Sequence, residues 1–459
     1  MIVNSATISF FDNNTCVSCN GSVRLDASSD VTHAQLAEAF KNIENIIGIL
    51  EVVNTSFTNL SFFGPLSRLD TDLEDYEYDL LIADNAKLES MEGALLSFGT
   101  RVRILNNPLL DPNCSHVIYY YYLERRIRGN RLNCGCELDE PLTATYTQTL
   151  EDNCSGIYGN FVLPSTDQPT PDALERKFGS ATQLVGELMV VGTDFVDLSF
   201  LRNLRQIMPN YSGVKDSSLL LYIRIQNNGK LERLGWDMLQ KLVIVAVNIS
   251  NNPKLCYLMS ELDALFTTAD VDAIQGRICE ADPTETEPST QCRIGNEGNL
   301  SSIPGGCLSL IGQLTIDHNS SPFDFWKLYN VTAIFGQLMV RNASIKGLSM
   351  LWQLRQIVNL APNETALIVE SNKYMRSAFI RDIDLILSDQ PVQIENNTVM
   401  RLLEDECTAL GRSVDVSSTG NRKNCPARSK LDSGLLEPSR YGTVFILVAA
   451  TRKCLLHFL

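Results

Sequence analysis

The chain has 459 residues, a formal net charge of −16 at pH 7, 44% hydrophobic residues and 20% charged residues. These values are typical of globular proteins, and they exclude a disordered chain, which would be too polar to form a core. The negative charge argues against nucleic acid and anionic membrane surfaces as partners, because like charges repel. The length suits about three domains of ordinary size.

One sequence block occurs three times and shows that the chain is built by repetition. The copies read GILEVVNTSFTNLSFF from Gly48, GELMVVGTDFVDLSFL from Gly186 and GQLMVRNASIKGLSML from Gly336. Each copy opens with glycine, alternates apolar residues over one short strand, and then continues with apolar residues around a corner. Copies at domain-sized spacing predict three similar units. The residues predicted to face inward in the second copy are Leu188, Val190, Phe195 and Leu198.

A second pattern follows each block: an aliphatic residue, an asparagine three positions later, and a leucine or methionine three positions after that. The pattern is typical of solenoids, in which a short strand buries alternate side chains and the chain then turns a corner. Asparagine suits the corner because it tolerates left-handed backbone angles and its amide bonds backbone groups. Stacked turns would place the asparagines in a ladder, whereas isolated hairpin turns would give irregular spacing. The matches are Ile82/Asn85/Leu88, Ile104/Asn107/Leu110, Ile225/Asn228/Leu231, Ile249/Asn252/Leu255, Val369/Asn372/Met375 and Ile394/Asn397/Met400.

The 13 cysteines lie mostly near the edges of the repeated units, which favours disulfides that close the unit ends. Cys16/Cys19 and Cys134/Cys136 are candidate pairs for a zinc site, but the CxC spacing of Cys134/Cys136 is poor and the four histidines lie at no ligand spacing. We therefore predict no metal site, no cofactor and no catalytic residues. The disulfide candidates are Cys114, Cys134, Cys136, Cys154, Cys256, Cys279, Cys292, Cys307, Cys407 and Cys425.

Asn-x-Ser/Thr sequons are more frequent than chance would give, which predicts a secreted glycoprotein. Two of them, at Asn54 and Asn342, lie at the corner after the repeated strand, so a glycan there would keep that corner from being the binding face. The glycosylation candidates are Asn20, Asn54, Asn59, Asn210, Asn248, Asn299, Asn319, Asn330, Asn342, Asn363 and Asn396.

Neither chain end carries the segment that an extracellular protein needs. Met1–Phe11 lacks the features of a signal peptide. The apolar run Thr443–Ala450 is too short to cross a bilayer, which takes about 20 apolar residues. Either the sequence is trimmed at both ends or the protein uses an unusual export route. We expect trimming, with residues 426–459 as a stalk and a truncated membrane anchor, through which the protein attaches to a membrane.

The order of these motifs resembles the receptor L domain, which flanks the cysteine-rich region in insulin- and EGF-type receptor ectodomains. The closest stretches are FVDLSFLRNLRQI at 195–207 and ISNNPKLC at 249–256. The chain is most similar to nematode surface proteins with tandem L domains, since no furin-like module and no kinase motif is present. The resemblance implies a mainly β protein of tandem single-stranded right-handed β-helices with a few short helices. The implied domains are 14–136, 137–291 with a trailing linker, and 292–425, the last degenerate at its end.

The resemblance also implies disulfides that close each unit: Cys256 with Cys279, and Cys114 with Cys134 or Cys136. It carries no growth-factor binding residue over, because none matches by position. We therefore predict a secreted or cell-surface receptor-like glycoprotein without kinase activity, which binds an unknown protein or peptide ligand through its solenoid faces. The alternative is a structural matrix or surface glycoprotein with no discrete ligand. An enzyme is the weakest hypothesis, because no catalytic constellation stands at a motif spacing.

Overall fold

The computed structural model describes residues 1–11, 17–70, 77–92, 101–112, 124–208, 223–236, 238–242, 246–266, 270–280, 290–295, 298–426 and 453–455. Every strand pair in these ranges is parallel, which excludes the hairpin alternative. The predicted mainly β architecture of tandem solenoid units is confirmed. Each unit has two sheets, and the chain alternates between them. We call the sheet with the shorter strands the small sheet and the other the large sheet.

The first unit is built around two parallel sheets joined by short corners. Its helices are α1 (His33–Phe40) and the 3₁₀ turns Ile8–Phe11 and Ser61–Phe63. The small sheet contains β1 (Ser18–Asn20), β3 (Asn45–Ile47) and β5 (Arg68–Asp70). The large sheet contains β2 (Val23–Leu25), β4 (Leu50–Val53), β6 (Leu80–Ala83), β7 (Arg101–Leu105) and β8 (Glu124–Arg128).

The second unit repeats this arrangement and adds a strand pair at its end, β18 (Cys256–Tyr257) with β20 (Arg277–Ile278). Its helices are α2 (Ala144–Thr149), α3 (Pro171–Phe178), α4 (Met259–Phe266) and the 3₁₀ turn Ser199–Leu201. The small sheet contains β9 (Cys136–Leu138), β10 (Ile157–Gly159), β12 (Gln183–Val185), β14 (Gln206–Met208) and β16 (Lys241–Leu242). The large sheet contains β11 (Phe161–Leu163), β13 (Leu188–Val191), β15 (Ile223–Gln226), β17 (Ala246–Ser250) and β19 (Asp270–Ile274).

In the third unit, a long 3₁₀ segment, Pro322–Leu328, takes the place that α1 has in the first unit. Its other helical elements are the 3₁₀ turns Leu300–Ser302 and Ser349–Leu351 and the helix α5 (Glu404–Leu410). The small sheet contains β21 (Gln291–Arg293), β22 (Ser309–Ile311), β24 (Ala333–Phe335), β26 (Gln356–Val358) and β28 (Leu385–Leu387). The large sheet contains β23 (Leu314–Ile316), β25 (Leu338–Arg341), β27 (Leu367–Glu370), β29 (Val392–Glu395) and β30 (Val416–Thr419).

Strand alternation fills the interior of each unit. In β13, Leu188 and Val190 are buried and Met189 points outward, as period-2 alternation requires. Phe195 and Leu198 lie on the next side of the same solenoid turn and are also buried. We call each turn of the solenoid a rung. The predicted inward positions of the repeated block are therefore confirmed.

The repeated glycine marks the corner between the small and the large sheet. Gly48, Gly186 and Gly336 have φ values of +150°, +150° and +144°. A Cβ on Gly186 would lie 2.1 Å from the carbonyl oxygen of Gly159 in the rung below. Only glycine fits, because the backbone angle disfavours L side chains and the adjacent backbone leaves no space.

The predicted asparagine ladder is present inside each unit. Asn85 donates from Nδ2 to Oδ1 of Asn107 at 3.0 Å, and Asn107 does the same to Asn130 at 2.9 Å. The six asparagines of the sequence pattern are at most 3% exposed. The expectation of left-handed angles at these positions was wrong, because such angles belong to the residue before each ladder asparagine, such as Asp84 at φ +57°. The ladder position is selected for its amide, which bonds buried backbone groups.

Disulfides lie at the unit ends. Cys256 is bonded to Cys279, the pair that the family resemblance implied, and Cys292–Cys307 and Cys407–Cys425 lie at the two ends of the third unit. Cys136 is bonded to Cys154, so Cys114 does not pair with Cys136. Cys134 is also disulfide-bonded. Cys19 is a buried free thiol, and burial raises its pKa to about 11.

The second and third units share a buried seam. Five buried residues of the third unit's small sheet belong to the same hydrophobic cluster as the core of the second unit: Ile311, Ala333, Phe335, Val358 and Leu387. Three polar contacts join the two units as well, and one of them runs from Arg293 Nη2 to Cys279 O at 2.9 Å. Gly276 N donates to Leu360 O at 2.8 Å, and Gln275 Nε2 donates to Asp389 Oδ1 at 3.1 Å. These two units are therefore docked through apolar side chains.

Several predicted features lie outside the described residues, namely Cys16, Cys114, Asn210, most of the linker after Glu280 and the apolar run Thr443–Ala450. The segment predicted to be a stalk contributes one described strand, β31 (Lys453–Leu455), which pairs with β1. Among the residues that the structure describes, no helix has the length and apolar character needed to cross a membrane.

Candidate ligand-binding surface

The outward face of the first unit's large sheet carries a row of mostly charged residues. The register places one residue from each of the five strands in line across the sheet: Arg24, Glu51, Leu81, Arg103 and Arg126. Strand alternation points these side chains outward: the neighbours of the first four are buried in the core, and Arg126 lies between half-buried Arg125 and buried Ile127. We call these five residues the charged row.

One end of the charged row is an ordered hydrogen-bond network. Arg24 Nη1 donates to Glu51 Oε2 at 3.0 Å, and Arg24 Nε donates to Asp26 Oδ2 at 3.0 Å. The hydroxyl of Tyr78 donates to the other carboxylate oxygen of Glu51 at 2.7 Å. Burial and this hydrogen bond to a carboxylate raise the pKa of Tyr78 to about 12. Glu51 is therefore bonded on both oxygens and held in one orientation.

The other end presents arginines that are also fixed in place. The guanidinium of Arg103 lies 5.3 Å from the ring centroid of Tyr78 and donates to Glu77 Oε2 at 2.9 Å. Arg126 Nη1 lies 2.5 Å from Asp139 Oδ1. These side chains are partly exposed and already ordered, so a partner would spend little conformational entropy in using them. Arginine and tyrosine are also the residue types enriched at energetically important interface positions.

The corresponding face of the second unit differs at its centre. Asn248 of β17 occupies the position of Arg103 in β7, since both are the third of five residues in the fourth strand of the large sheet. Asn248 begins a sequon, and its Oδ1 accepts hydrogen bonds from Gln226 Nε2 and Ser250 Oγ, both at 2.8 Å. A glycan on Asn248 would cover this face, whereas the strands of the first unit's large sheet contain no sequon.

The third unit carries exposed aromatic residues on its 3₁₀ turns. Phe323 is 88% exposed and Trp326 is 56% exposed, and both lie on one 3₁₀ segment. Side chains three residues apart eclipse in such a segment, so Phe323 and Trp326 form one ridge. Tyr329 and Trp352, from the end of this segment and of the next turn, are also about half exposed.

A cleft of about 460 Å³ lies along the seam between the second and third units. Its lining includes Asn252, Leu255 and Arg277 from the second unit and Pro362 and Asn363 from the third. Asn363 is one of the predicted glycosylation residues and is exposed at this position. Among the described residues, no group of three or more His, Cys, Asp or Glu side chains is placed to hold a metal ion.

The predicted glycosylation residues differ in exposure. Asn20, Asn59 and Asn248 are half-buried, and Asn59 Oδ1 accepts a hydrogen bond from Ser61 N at 3.1 Å. Those that are exposed are Asn54, Asn299, Asn319, Asn330, Asn342, Asn363 and Asn396. Asn54 and Asn342 lie at a corner of the solenoid with left-handed backbone angles, at the edge of the large sheet rather than on its face.

Sequence reasoning did not identify the charged row. Its signal was present in β7 and β8, where arginine alternates with aliphatic residues in RVRIL and ERRIR. Alternation shows that these arginines point outward, but it does not show which strands lie side by side. That requires the register between strands whose separation along the chain varies.

Comparisons with known proteins agree with this architecture. The family model described as "Receptor L domain" matches residues 15–120, 153–267 and 306–409. The protein irld-34 of Caenorhabditis elegans is 27% identical over an alignment of 253 residues, and the match covers 52% of this chain and 59% of that protein. The chain therefore spans about three-fifths of the length of this relative. A leucine-rich-repeat protein of Leptospira interrogans, LIC12759, aligns over 87% of this chain and 89% of its own with 12% identity, but its TM-score of 0.22 supports no inference.

Proposed function

Since this chain belongs to the receptor L domain family, we propose that it is an extracellular, receptor-like glycoprotein that binds a protein or peptide ligand. The proposed binding site is the charged row of the first unit. The observation that supports it is the ordered network of Arg24, Glu51, Tyr78 and Arg103 on a sheet face whose strands carry no sequon. Solenoids commonly use such extended surfaces for recognition.

The proposed role is binding without catalysis. Glu51, the carboxylate of the charged row, is hydrogen-bonded to Arg24 and Tyr78, and this fixed geometry fits recognition. A ligand of opposite pattern, with an acidic residue for Arg103 and a basic residue near Glu51, would complement the row. Electrostatic complementarity of this kind chiefly determines specificity and the association rate.

An engineered glycan tests the proposed site. Arg103→Asn combined with Leu105→Thr creates a sequon at the centre of the charged row, on outward positions of β7. Ligands are first found by screening secreted proteins against the glycosylated chain. The engineered glycan should then reduce affinity at least about tenfold, or about 1.4 kcal/mol, because it blocks the face.

The matched control places a glycan at a corner that already carries a sequon in two units. Gly192→Asn with Asp194→Ser creates a sequon where the first and third units have Asn54 and Asn342. Ligand affinity should be unchanged in this variant. A screen without ligands, or equal losses in both variants, would contradict the proposed function and would favour a structural glycoprotein.

A further inference from the structure

A row of four basic residues crosses the third unit on a side away from its large sheet. Arg376 N donates to Lys346 O at 2.9 Å, and Arg401 N donates to Arg376 O at 3.2 Å. Arg401 and Lys423 form a parallel bridge in the next rung. One cation therefore stands on each of four successive rungs, which are spaced about 4.8 Å apart in such stacks. We call Lys346, Arg376, Arg401 and Lys423 the basic row.

The four side chains are free to meet a ligand. Met375 and Met400, which precede the two arginines, are fully buried, so the arginines point outward. All four cations are exposed, and within the described part of the chain none of them forms an ion pair. Two exposed carboxylates, Glu404 and Asp405, follow Arg401 at the start of α5 and form no ion pair with it.

The internal repeats provide a comparison for the basic row. In the first unit the same backbone bonds join Thr58, Glu89 and Asp111, and in the second they join Val196, Glu232 and Cys256. These three positions are acidic or neutral in both units, while the position of Lys423 is occupied by Leu132 in the first unit and by Arg277 in the second. The solenoid corner therefore does not require basic residues, and their presence on four rungs of the third unit needs another explanation.

The net charge of −16 does not remove this local positive potential. Charges separated by more than about 8 Å at physiological salt are largely screened. The basic row spans about 14 Å, because its four rungs are separated by three spacings of about 4.8 Å. A linear anion lying along the stack would meet one cation at each rung.

Exposed apolar side chains flank the basic row. Tyr374 is 55% exposed and Leu403 is 57% exposed, and each lies two residues from an arginine of the row. Phe379, three residues after Arg376, is 43% exposed. The apolar face of a sugar ring packs on aromatic rings, whereas the side chains of an acidic peptide have no such requirement. The combination of a straight row of cations with flanking aromatic rings fits a charged polysaccharide best.

We propose that the basic row binds a sulfated glycosaminoglycan, with one sulfate or carboxylate at each cation and sugar rings against Tyr374 and Phe379. The proposal rests on the extracellular location in the proposed function, since these polysaccharides are extracellular. It concerns a different unit from the charged row. The protein would then be held at a cell surface or matrix by its third unit while the first unit binds a ligand.

The test uses the full glycosylated chain and a heparin dodecasaccharide on a biosensor surface. The chain should bind at about 0.15 M salt, and binding should weaken steeply with salt because bound counterions are released. Arg376→Gln with Arg401→Gln should reduce affinity at least about tenfold and lower the slope of log affinity against log salt by roughly half, because two of four cations are removed.

A matched control neutralises two other exposed arginines. Arg205 and Arg355 also lie on backbone stacks and form no ion pair within the described residues, but they lie on a different corner of the solenoid. Arg205→Gln with Arg355→Gln should bind heparin as the unchanged chain does. Equal losses in both double variants would overturn the proposal, as would the absence of heparin binding at physiological salt.

Binding of other anions distinguishes a sulfated polysaccharide from other classes of ligand. Completely desulfated heparin and polyglutamate should bind much more weakly than heparin, and equal binding of either would overturn the assignment to a sulfated sugar. Binding to phosphatidylserine vesicles but not to heparin would overturn it in favour of a membrane surface. The Arg376/Arg401 double variant should keep its affinity for a ligand of the charged row, so failure here is distinguishable from failure of the proposed function.

Discussion

At the scale of single residues, the fold depends on the buried side-chain amides of the asparagine ladder, which bond polar groups that water does not reach. Asn228 is fully buried, and its Oδ1 accepts from the backbone N and the hydroxyl of Thr193, both at 2.8 Å. Its Nδ2 donates to Val190 O at 2.9 Å and to Asn252 Oδ1 at 3.0 Å. One side chain therefore satisfies groups from the two neighbouring rungs and links three rungs of the second unit.

Asn228→Ala should cost about 2–5 kcal/mol of unfolding free energy, because it leaves two or more buried polar groups unbonded at about 1–3 kcal/mol each. Amide hydrogen exchange should accelerate in β13, β15 and β17 of the second unit more than in the third unit. The control is Lys230→Ala, an exposed neighbour paired with exposed Asp194, whose effect should lie within about 0.5 kcal/mol. Similar exchange profiles for the two variants would show that the ladder is dispensable.

The ladder could be predicted from the sequence because its spacing lies within one rung. The aliphatic residue, the asparagine and the leucine occupy fixed offsets, so six matches were visible without knowledge of the fold. The assignment of the left-handed angle was wrong by one residue, since Asp84 and Asn227 carry it. Asparagine commonly occupies both positions, and the sequence alone does not separate a role of the backbone angle from a role of the amide.

At the scale of secondary-structure elements, the repeated glycine defines the corner between the two sheets. Gly186 lies between β12 and β13. Its Cα packs against the backbone of Gly159, which forms the same corner in the preceding rung. The neighbouring atoms are backbone and cannot rotate away. The corner therefore has no means of accommodating a side chain without separating the two rungs.

Gly186→Ala should destabilise the second unit by about 3 kcal/mol or more, through the strained backbone angle and the clash with Gly159. The control is Gly192→Asn, because Gly192 has φ +65° and a Cβ added there would approach only the Cβ of Ser165, at 3.6 Å. The first and third units already have asparagine at this corner, so the change should lie within about 0.5 kcal/mol. Thermal unfolding of both variants compares them, and equal melting temperatures would contradict this account of the corner.

At the scale of the whole molecule, the sequence indicated three units but not how they meet. In the third unit, the third residue of four small-sheet strands is apolar and lies in the hydrophobic cluster shared with the second unit. The same position holds half-buried Ile47 in the first unit and half-buried Val185 in the second. An apolar residue at this strand position is thus only weak evidence that the unit docks against another unit. The seam and both rows of charge depend on register and docking between segments far apart in the chain, which local periodicity does not encode.

The seam should be what keeps the second and third units in one arrangement. Phe335 is 2% exposed and lies in the hydrophobic cluster that both units share, so Phe335→Asp would place a charge among apolar side chains without a partner. Each unit has its own ladder and disulfides, which should let both stay folded while they separate. Small-angle scattering should therefore show a larger radius of gyration and a broader distance distribution, with little change in circular dichroism.

Val185→Asp is the matched control, because Val185 occupies the same strand position in the second unit but is only half-buried. Its scattering curve should match that of the unchanged chain. If Phe335→Asp also left the curve unchanged, the polar contacts of Gly276, Gln275 and Arg293 would suffice to hold the units together, and the apolar seam would be incidental. If the chain instead unfolded as a whole, the third unit would depend on the second for its stability, and the solenoid units would not be independent folding units.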